Sequence, residues 1–324
     1  MEDLQIKGDI VYCSGGGVAP SLKAWNYKTG ILSFVSRLNT GLVGSIRLLG
    51  DTLFGLGVSG DQDHSEIKRW EQGSGRSEPP LKGHREEISC LRVANDYLYS
   101  ASYDGTVCIW QGNEGAPVRR LEGNEEGITS LKVRKEKTAT GGWDGSVRLW
   151  DIETGQCSAD LKVHTDAISC LKMQAGGDTL VYSGSWDGRL SIWDSRMSKA
   201  DSYFIGPTCV KKMKAIDEKI AFISSSEPTV RMWDQTGMQS VSVLSHPGPA
   251  PFLTAHNKIL YSGSSPSTIS CWNVAKQESL GSIEGHRKSI SCLKAKETNL
   301  LSGSYDQVAM VWNMAELENS DGDI

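Results

Sequence analysis

A tryptophan returns about every forty residues along this chain. Aligning Trp25, Trp70, Trp110, Trp150, Trp193, Trp233, Trp272 and Trp312 gives gaps of 45, 40, 40, 43, 40, 39 and 40, so eight similar units fill the 324 residues. A period of that length means one supersecondary unit written many times, and it takes precedence over any domain count from length. The phrase leading to the Trp repeats as well: SYDGTVCIW at 102–110, GWDGSVRLW at 142–150, SWDGRLSIW at 185–193 and SYDQVAMVW at 304–312.

Each unit carries an apolar strand such as ISCLRV (88–93), a second such as YLYSAS (97–102), a turn, a third strand ending in Trp, and a weaker fourth. Asp-Gly at 104–105, 144–145 and 187–188 gives the backbone the positive φ of a tight hairpin, so the second strand reverses directly into the third. Val107 and Ile109 occupy one side of a third strand, yet Cys108 and Trp110 make the other side apolar too. Such a strand requires cover on both faces. Four-stranded sheets stacked around an axis supply it, each covering its neighbours, which predicts an all-β propeller.

Polar residues keep register with the Trp. His84, Asp104 and Trp110 are separated by 20 and 6, as are His286, Asp306 and Trp312; His164, Asp187 and Trp193 give 23 and 6. Asn124, Asp144 and Trp150 keep the offsets with Asn in place of His. An imidazole, a carboxylate, an indole N–H and a strand hydroxyl such as Ser102, Ser185 or Ser304 can satisfy one another as a buried network that pins each turn. These residues resemble the Gly-His, Ser-x-Asp and Trp-Asp signature of the WD-repeat family over essentially the whole chain. The resemblance implies a β-propeller that works by binding other proteins.

Four units depart from the pattern. Unit 1 keeps WNYKTG (25–30), parallel to WDIETG (150–155), but has neither His nor Asp; unit 2 has His64 at the turn; unit 6 reads SSSEPTVRMW; unit 7 keeps His246 with Pro266 at the Asp position. Units 3, 4, 5 and 8 are expected to be the stiff ones. After Trp312 the acidic NMAELENSDGDI makes a poor fourth strand, and because unit 1 looks like a repeat in its own right the sequence favours eight blades with an incomplete last one. The alternative takes ILSFVSRL (31–38) as the missing strand, giving seven blades and an N-terminal hairpin. The propeller is expected over 1–314, with 315–324 an acidic tail.

The net charge is -5, which gives no broad attraction for nucleic acid or anionic lipid. The first residues carry no apolar signal-like run, and no stretch approaches membrane-spanning length. Cys90, Cys170 and Cys292 recur inside ISCL as small core hydrophobes rather than half-cystines or metal ligands. A soluble cytoplasmic or nuclear protein, with no membrane partner, is expected.

No residues support catalysis. GLGVSG (55–60) fits G-x-G-x-x-G but runs from one strand into another, where a dinucleotide fingerprint opens a helix. His64 in DQDH (61–64) lacks ligand spacing, and no triad, nucleophile elbow, P-loop or zinc pattern is present. No enzyme activity, cofactor, metal or small-molecule substrate is expected.

The position before the turn Asp holds Tyr103, Trp143, Trp186 and Tyr305. The family resemblance puts that loop on the narrow end of the propeller, where large amphipathic rings suit a peptide-binding hot spot, against the plainer role of covering their own hairpins. Arg85, Glu87, Asp166 and Lys288 would add a polar rim. DGRLSIWDSR (187–196) is similar to the box by which WD-repeat proteins dock a cullin-4 ubiquitin ligase adaptor, which would assign Trp193, Asp194 and Arg196 to docking. The basic stretches KVRKEK (132–137) and KKMK (211–214) read as solvated turn charges, with contact to RNA the alternative. The reading is a non-catalytic scaffold binding a protein or peptide on the aromatic face; ligase substrate receptor and RNA–protein complex subunit are the alternatives.

Overall fold

The structure, a computed structural model, describes residues 3–15, 21–37, 42–58, 66–112, 114–174, 180–196, 200–206, 209–216, 219–224, 229–234, 239–245, 252–263 and 267–315. Eight antiparallel sheets follow one another along the chain, each built from one continuous stretch with its strands in sequential order. Blade 1 runs from Asp3 to Arg37, blade 2 from Leu42 to Lys82, blade 3 from Ile88 to Leu121 and blade 4 from Ser130's strand start at Ile128 to Lys162. Blades 5, 6, 7 and 8 span Ile168–Phe204, Val210–Ser245, Phe252–Ile283 and Ile290–Asn313. The first strand of each blade packs against the first strands of its neighbours, and that of blade 8 against that of blade 1, so the eight inner strands form a closed ring.

The strand Leu32–Arg37 pairs with Ser21–Asn26 of its own blade, which rejects the seven-blade alternative. Blade 8 has three strands among the described residues. Its Trp312 is accordingly only half-buried, whereas Trp70, Trp110, Trp150, Trp193, Trp233 and Trp272 are buried. The ring closes through side chains: Leu4, Ile6, Val11 and Cys13 of blade 1 pack on Cys292 and Leu301 of blade 8, and Lys296 Nζ donates to the Ile6 carbonyl at 2.6 Å.

The core lies between blades rather than within them. Trp110 packs with Ile88, Leu91 and Leu98 of its own blade and with Phe54, Ile67 and Leu81 of the blade before. Trp150 is likewise clustered with Tyr99, Val107 and Ile109 of blade 3. Burial of one such large apolar side chain contributes on the order of 2–3 kcal/mol, and it ties the Trp's own blade to the preceding one. A bulge recurs in the first strand of blades 3, 4 and 5. There Ser89, Thr129 and Ser169 each donate both to a carbonyl of their own blade (Ala101, Gly141, Gly184) and to one of the next (Ile128, Ile168, Val210). An interruption of one ladder thus fastens two sheets.

The hairpins follow the Asp-Gly signals. Gly145 and Gly188 take φ of 74° and 75°, and a Cβ on either would meet a backbone oxygen, that of His164 at 2.4 Å or of Gly206 at 1.9 Å. In blade 8 the same turn position is Gln307, held at φ 69°, a left-handed conformation that costs a side-chain-bearing residue roughly 1 kcal/mol or more.

Candidate functional site

The turns between second and third strands are held by the expected polar networks. In blade 3, His84 Nδ1 lies 3.0 Å from Asp104 Oδ2 and His84 Nε2 lies 2.7 Å from Ser100 Oγ, while Trp110 Nε1 donates to the same hydroxyl at 2.8 Å. Blade 8 repeats this with His286, Asp306, Ser302 and Trp312, and blade 5 places His164 between Asp187 and Ser183. The linking hydroxyl is therefore two residues before the one expected. Ser102, Ser185 and Ser304 instead donate to the carbonyls of Glu86, Asp166 and Lys288 and accept the N–H of the turn Asp. Both serines are buried in each strand, because residues two apart share a face.

Burial pushes the Asp104 carboxyl up, but hydrogen bonds from His84, the Arg85 N–H and Thr106, with the His84 charge, hold it well below the usual carboxylate range. Asp306 is likewise held down at about 2: burial opposes, and the Arg287 and Val308 N–H groups and His286 prevail. Burial depresses the His164 imidazole more than Asp187 raises it.

Blade 4, with Asn124 in place of His, uses a cation that sequence reasoning missed. Arg148 Nη1 donates to Asp144 Oδ2 at 2.8 Å and Arg148 Nε to Asp160 Oδ2 at 2.9 Å. Asn124 Oδ1 accepts from Thr140 Oγ1 at 3.1 Å, and Trp150 Nε1 donates to that Thr at 2.8 Å. The signal was an Arg two residues before Trp150, where blade 3 has Cys108 and blade 8 has Met310.

These networks lift the aromatic residues onto one face. The N–H groups of Tyr103, Trp143, Trp186 and Tyr305 donate to the carbonyls of Glu87, Gly127, Ala167 and Ser289, four equivalent bonds at 2.9 to 3.1 Å. Trp143, Trp186 and Tyr305 are 47%, 57% and 60% exposed. Tyr103 is half-buried, its ring centroid 6.2 Å from that of Trp143. Gly127 makes that pair possible, since a Cβ there would lie within about 3.0 Å of both rings. Burial raises the Tyr103 phenol, and the Glu87 carboxylate raises it further. Arg85, Glu87, Asp166 and Lys288 are all exposed on the loops that lead into the first strands, the loops whose carbonyls anchor the ring-bearing turns.

Trp193, Asp194 and Arg196 occupy the other face, because the turn after a third strand lies at the opposite end of the sheet from the turn before it. Trp193 is buried against blade 4. Arg196 is exposed, with Nε donating to Asp194 Oδ1 at 3.0 Å; that bond chiefly holds the Asp194 carboxyl at about 2. The same face carries a cleft of about 440 Å³ between blades 3 and 4, lined by Tyr97, Ile109, Val118, Arg119 and Glu136.

The basic stretches are only in part solvated turns: Lys135 and Glu136 form an exposed turn, but the other cations, apart from the exposed Lys211 and the half-buried Lys137 that opens the second strand of blade 4, are half-buried in inner strands. Lys132 and Arg134 lie in the strand Ile128–Arg134, and Lys212 and Lys214 in Val210–Ile216, all half-buried. Flanking apolar residues, Leu131 and Val133 or Met213 and Ala215, make these segments inner strands despite their charge. His64, His246 and Pro266 fall outside the described residues, as does the tail from 316. Among the described residues no group of His, Cys, Asp and Glu is arranged to hold a metal ion, and no helix is long and apolar enough to cross a membrane. The eight cysteines are free thiols; burial pushes Cys170 and Cys292 up to about 12.

The WD domain, G-beta repeat family matches residues 75–111, 115–151, 155–194 and 277–313. Four of the eight units are WD repeats, set in a β-propeller. Those four stretches are the units that end in blades 3, 4, 5 and 8, where the polar networks are built. Each WD repeat begins in the fourth strand of one blade and ends in the third strand of the next, so a single repeat ties two sheets together. Among similar chains, Mitochondrial division protein 1 of Mycosarcoma maydis is 29% identical over 86 residues, 26% of this chain and 11% of that protein. The chain thus matches about a tenth of that relative's length. A crystal structure of the computationally designed Ika8 protein superposes with a TM-score of 0.81 at 25% identity, covering 96% of this chain and 95% of that one.

Proposed function

We propose that this WD-repeat propeller is a non-catalytic scaffold that binds a peptide or protein on the face carrying Tyr103, Trp143, Trp186 and Tyr305. The observation that carries the reading is the exposure of three large rings at one structurally fixed position, 47%, 57% and 60% for Trp143, Trp186 and Tyr305. Rings whose only role was to cover their hairpins would be buried by them, as Trp110 and Trp150 are in the core. Amphipathic aromatics on a rigid frame lose little conformational entropy on binding, and the exposed Arg85, Glu87, Asp166 and Lys288 supply a polar rim around them.

Affinity purification with crosslinking mass spectrometry tests this on the wild type and a Trp143→Ala/Trp186→Ala/Tyr305→Ala variant shown to be folded. Loss of partners, with wild-type crosslinks converging on these turns, supports the reading; an unchanged partner list rejects it.

Docking of a cullin-4 ligase adaptor is a second reading, favoured by the exposure of Arg196 on the opposite face. Its guanidinium must first leave Asp194. Equal recovery of the adaptor with Arg196→Ala would reject it. A role in an RNA–protein complex has less support, because the basic stretches turn into the ring rather than forming a groove.

A further inference from the structure

The inner strands carry a charge pattern that the aromatic face does not use. In six blades the residue that follows the central Leu, Ile or Met of the first strand is basic: Arg47, Arg92, Lys132, Lys172, Lys214 and Lys294. They share one rung of the ladder, opposite Phe54, Tyr99, Ala139, Tyr182, Ala221 and Leu301 of their second strands. Gln5 and Thr254 hold that rung in blades 1 and 7. Since the first strands form a closed ring, one shared rung is one level around the axis.

The contacts show where these side chains point. Gln5 Nε2 donates to the Ile46 carbonyl at 2.7 Å, Arg47 Nε to that of Leu91 at 3.1 Å and Lys294 Nζ to that of Leu4 at 3.3 Å. Each leans onto the inner strand of the next blade. Their fields also cross the ring: Lys132 feels Arg92, Lys172 and Lys214, and Lys294 feels Arg47, Lys214 and Arg92. Carbonyl partners orient these side chains without neutralising the cations among them.

Compensation within the protein is small. The eight first strands hold eleven Lys and Arg but one acid, Asp3, which pairs with Arg47 at 2.8 Å. The rest of the chain has the opposite balance, 23 Lys and Arg against 38 Asp and Glu, within a net charge of -5. Burial, then neighbouring cations, push Lys132 down to about 7 and Lys214 to about 8; burial first does the same to Lys294, also about 8. The other titratable groups facing the ring are Lys212, Arg134 and the thiols of Cys90, Cys170 and Cys292.

We propose that this inner ring of cations is the binding site of a compact polyphosphorylated anion. Cations arriving from six blades at one level match a ligand whose charges point outward in all directions. An extended acidic peptide presents its charges along a line and would meet only some of them. Ammonium groups are point charges suited to phosphate, and both arginines contribute planar donors. The shared chemistry fits either a cyclic polyphosphate ester or a linear triphosphate. Binding returns protons to the depressed lysines, so the anion and protons are taken up together.

Isothermal titration calorimetry at about pH 8, where these lysines are part-deprotonated, tests the site. The probes are inositol hexakisphosphate, inorganic tripolyphosphate and ATP, with sulfate and poly-glutamate as controls, in two buffers of different ionisation enthalpy. Expected are binding of at least one polyphosphate with proton uptake, and affinity weakened at least about tenfold by Lys132→Met/Lys214→Met. The melting temperature of that variant should hold or rise, because repulsion has been removed; if it does not fold, Lys172→Gln takes its place. Lys211→Ala, on the exposed end of the same strand, should bind as wild type. Preference for the inositol phosphate assigns a cyclic ester, and preference for the linear probes a triphosphate. The proposal is overturned by no heat from any polyphosphate at about 1 mM, by unchanged affinity in the ring variant, or by tighter binding of poly-glutamate.

Discussion

Arg148 holds Asp144 at 2.8 Å in the one blade of the four networked ones that has Asn124 where the others have histidine. The carboxylate is the fixed element of the network, and the group that answers it changes: an imidazole from the preceding loop in blades 3, 5 and 8, a guanidinium from the third strand in blade 4. Side-chain exposures of 4% and 11% make this a largely buried pair.

Removing Arg148 alone should therefore be expensive. Arg148→Cys leaves Asp144 without its counter-charge and is expected to cost about 3 kcal/mol, the range for breaking a buried pair. Adding Asn124→His rebuilds the arrangement of blade 3 and should recover most of the loss. Urea denaturation of the single and double variants measures both; additive losses would mean that the histidine cannot take over.

Acid should unfold the propeller in two steps of known sign. The His164 imidazole titrates lower in the fold than in the unfolded chain, so its contribution is complete above about pH 6.5 and is lost as pH falls below that. Asp104 and Asp306 also titrate lower when folded, Asp306 near 2, so their contribution is complete above about pH 4 and drains away as pH falls toward 2. Urea midpoints at pH 7, 5 and 3 should decline in that order, and His164→Asn should flatten the upper step.

The turn of blade 8 can be improved. Gln307→Gly relieves a side-chain-bearing residue held at φ 69° and should stabilise by about 1 kcal/mol. Gly188→Ala, at φ 75° with a Cβ driven against the Gly206 oxygen, should destabilise by about 2 kcal/mol or more. Opposite shifts in melting temperature are the readout.

The exposed rings should separate binding from stability. Trp186→Ala and Tyr305→Ala are expected to change unfolding free energy by less than about 0.5 kcal/mol while weakening a bound partner about tenfold or more. Tyr103→Ala, which removes the half-buried member of the Trp143 pair, should also lower stability. Denaturation and pull-down of the same three proteins decide.

The repeat, the hairpins and the aromatic positions were legible because each depends on residues close in sequence: a Trp, an Asp six before it, a Gly with positive φ. The eight-bladed ring was favoured on the strength of WNYKTG, and the pairing of Leu32–Arg37 within blade 1 decided it. Whether Ser100 or Ser102 meets His84 was not legible, because both point to one side of the same strand and only the twist of the hairpin selects between them. The inner cations were misplaced because they were read along the chain as runs, KVRKEK and KKMK. Read down the repeats instead, the basic residue after the central Leu, Ile or Met recurs in six units, and a recurring column in a repeat protein is a ring in space.

The side-chain closure between blades 8 and 1 has a mechanical meaning. Seven of the eight boundaries carry a covalent connector; the eighth joins residues nearly three hundred positions apart, through contacts such as Lys296 to Ile6. The molecule is a split washer rather than a hoop. Under tension or transient opening the gap parts there first, because among the described residues side-chain contacts, an apolar cluster and hydrogen bonds such as that of Lys296, are what hold those two sheets together.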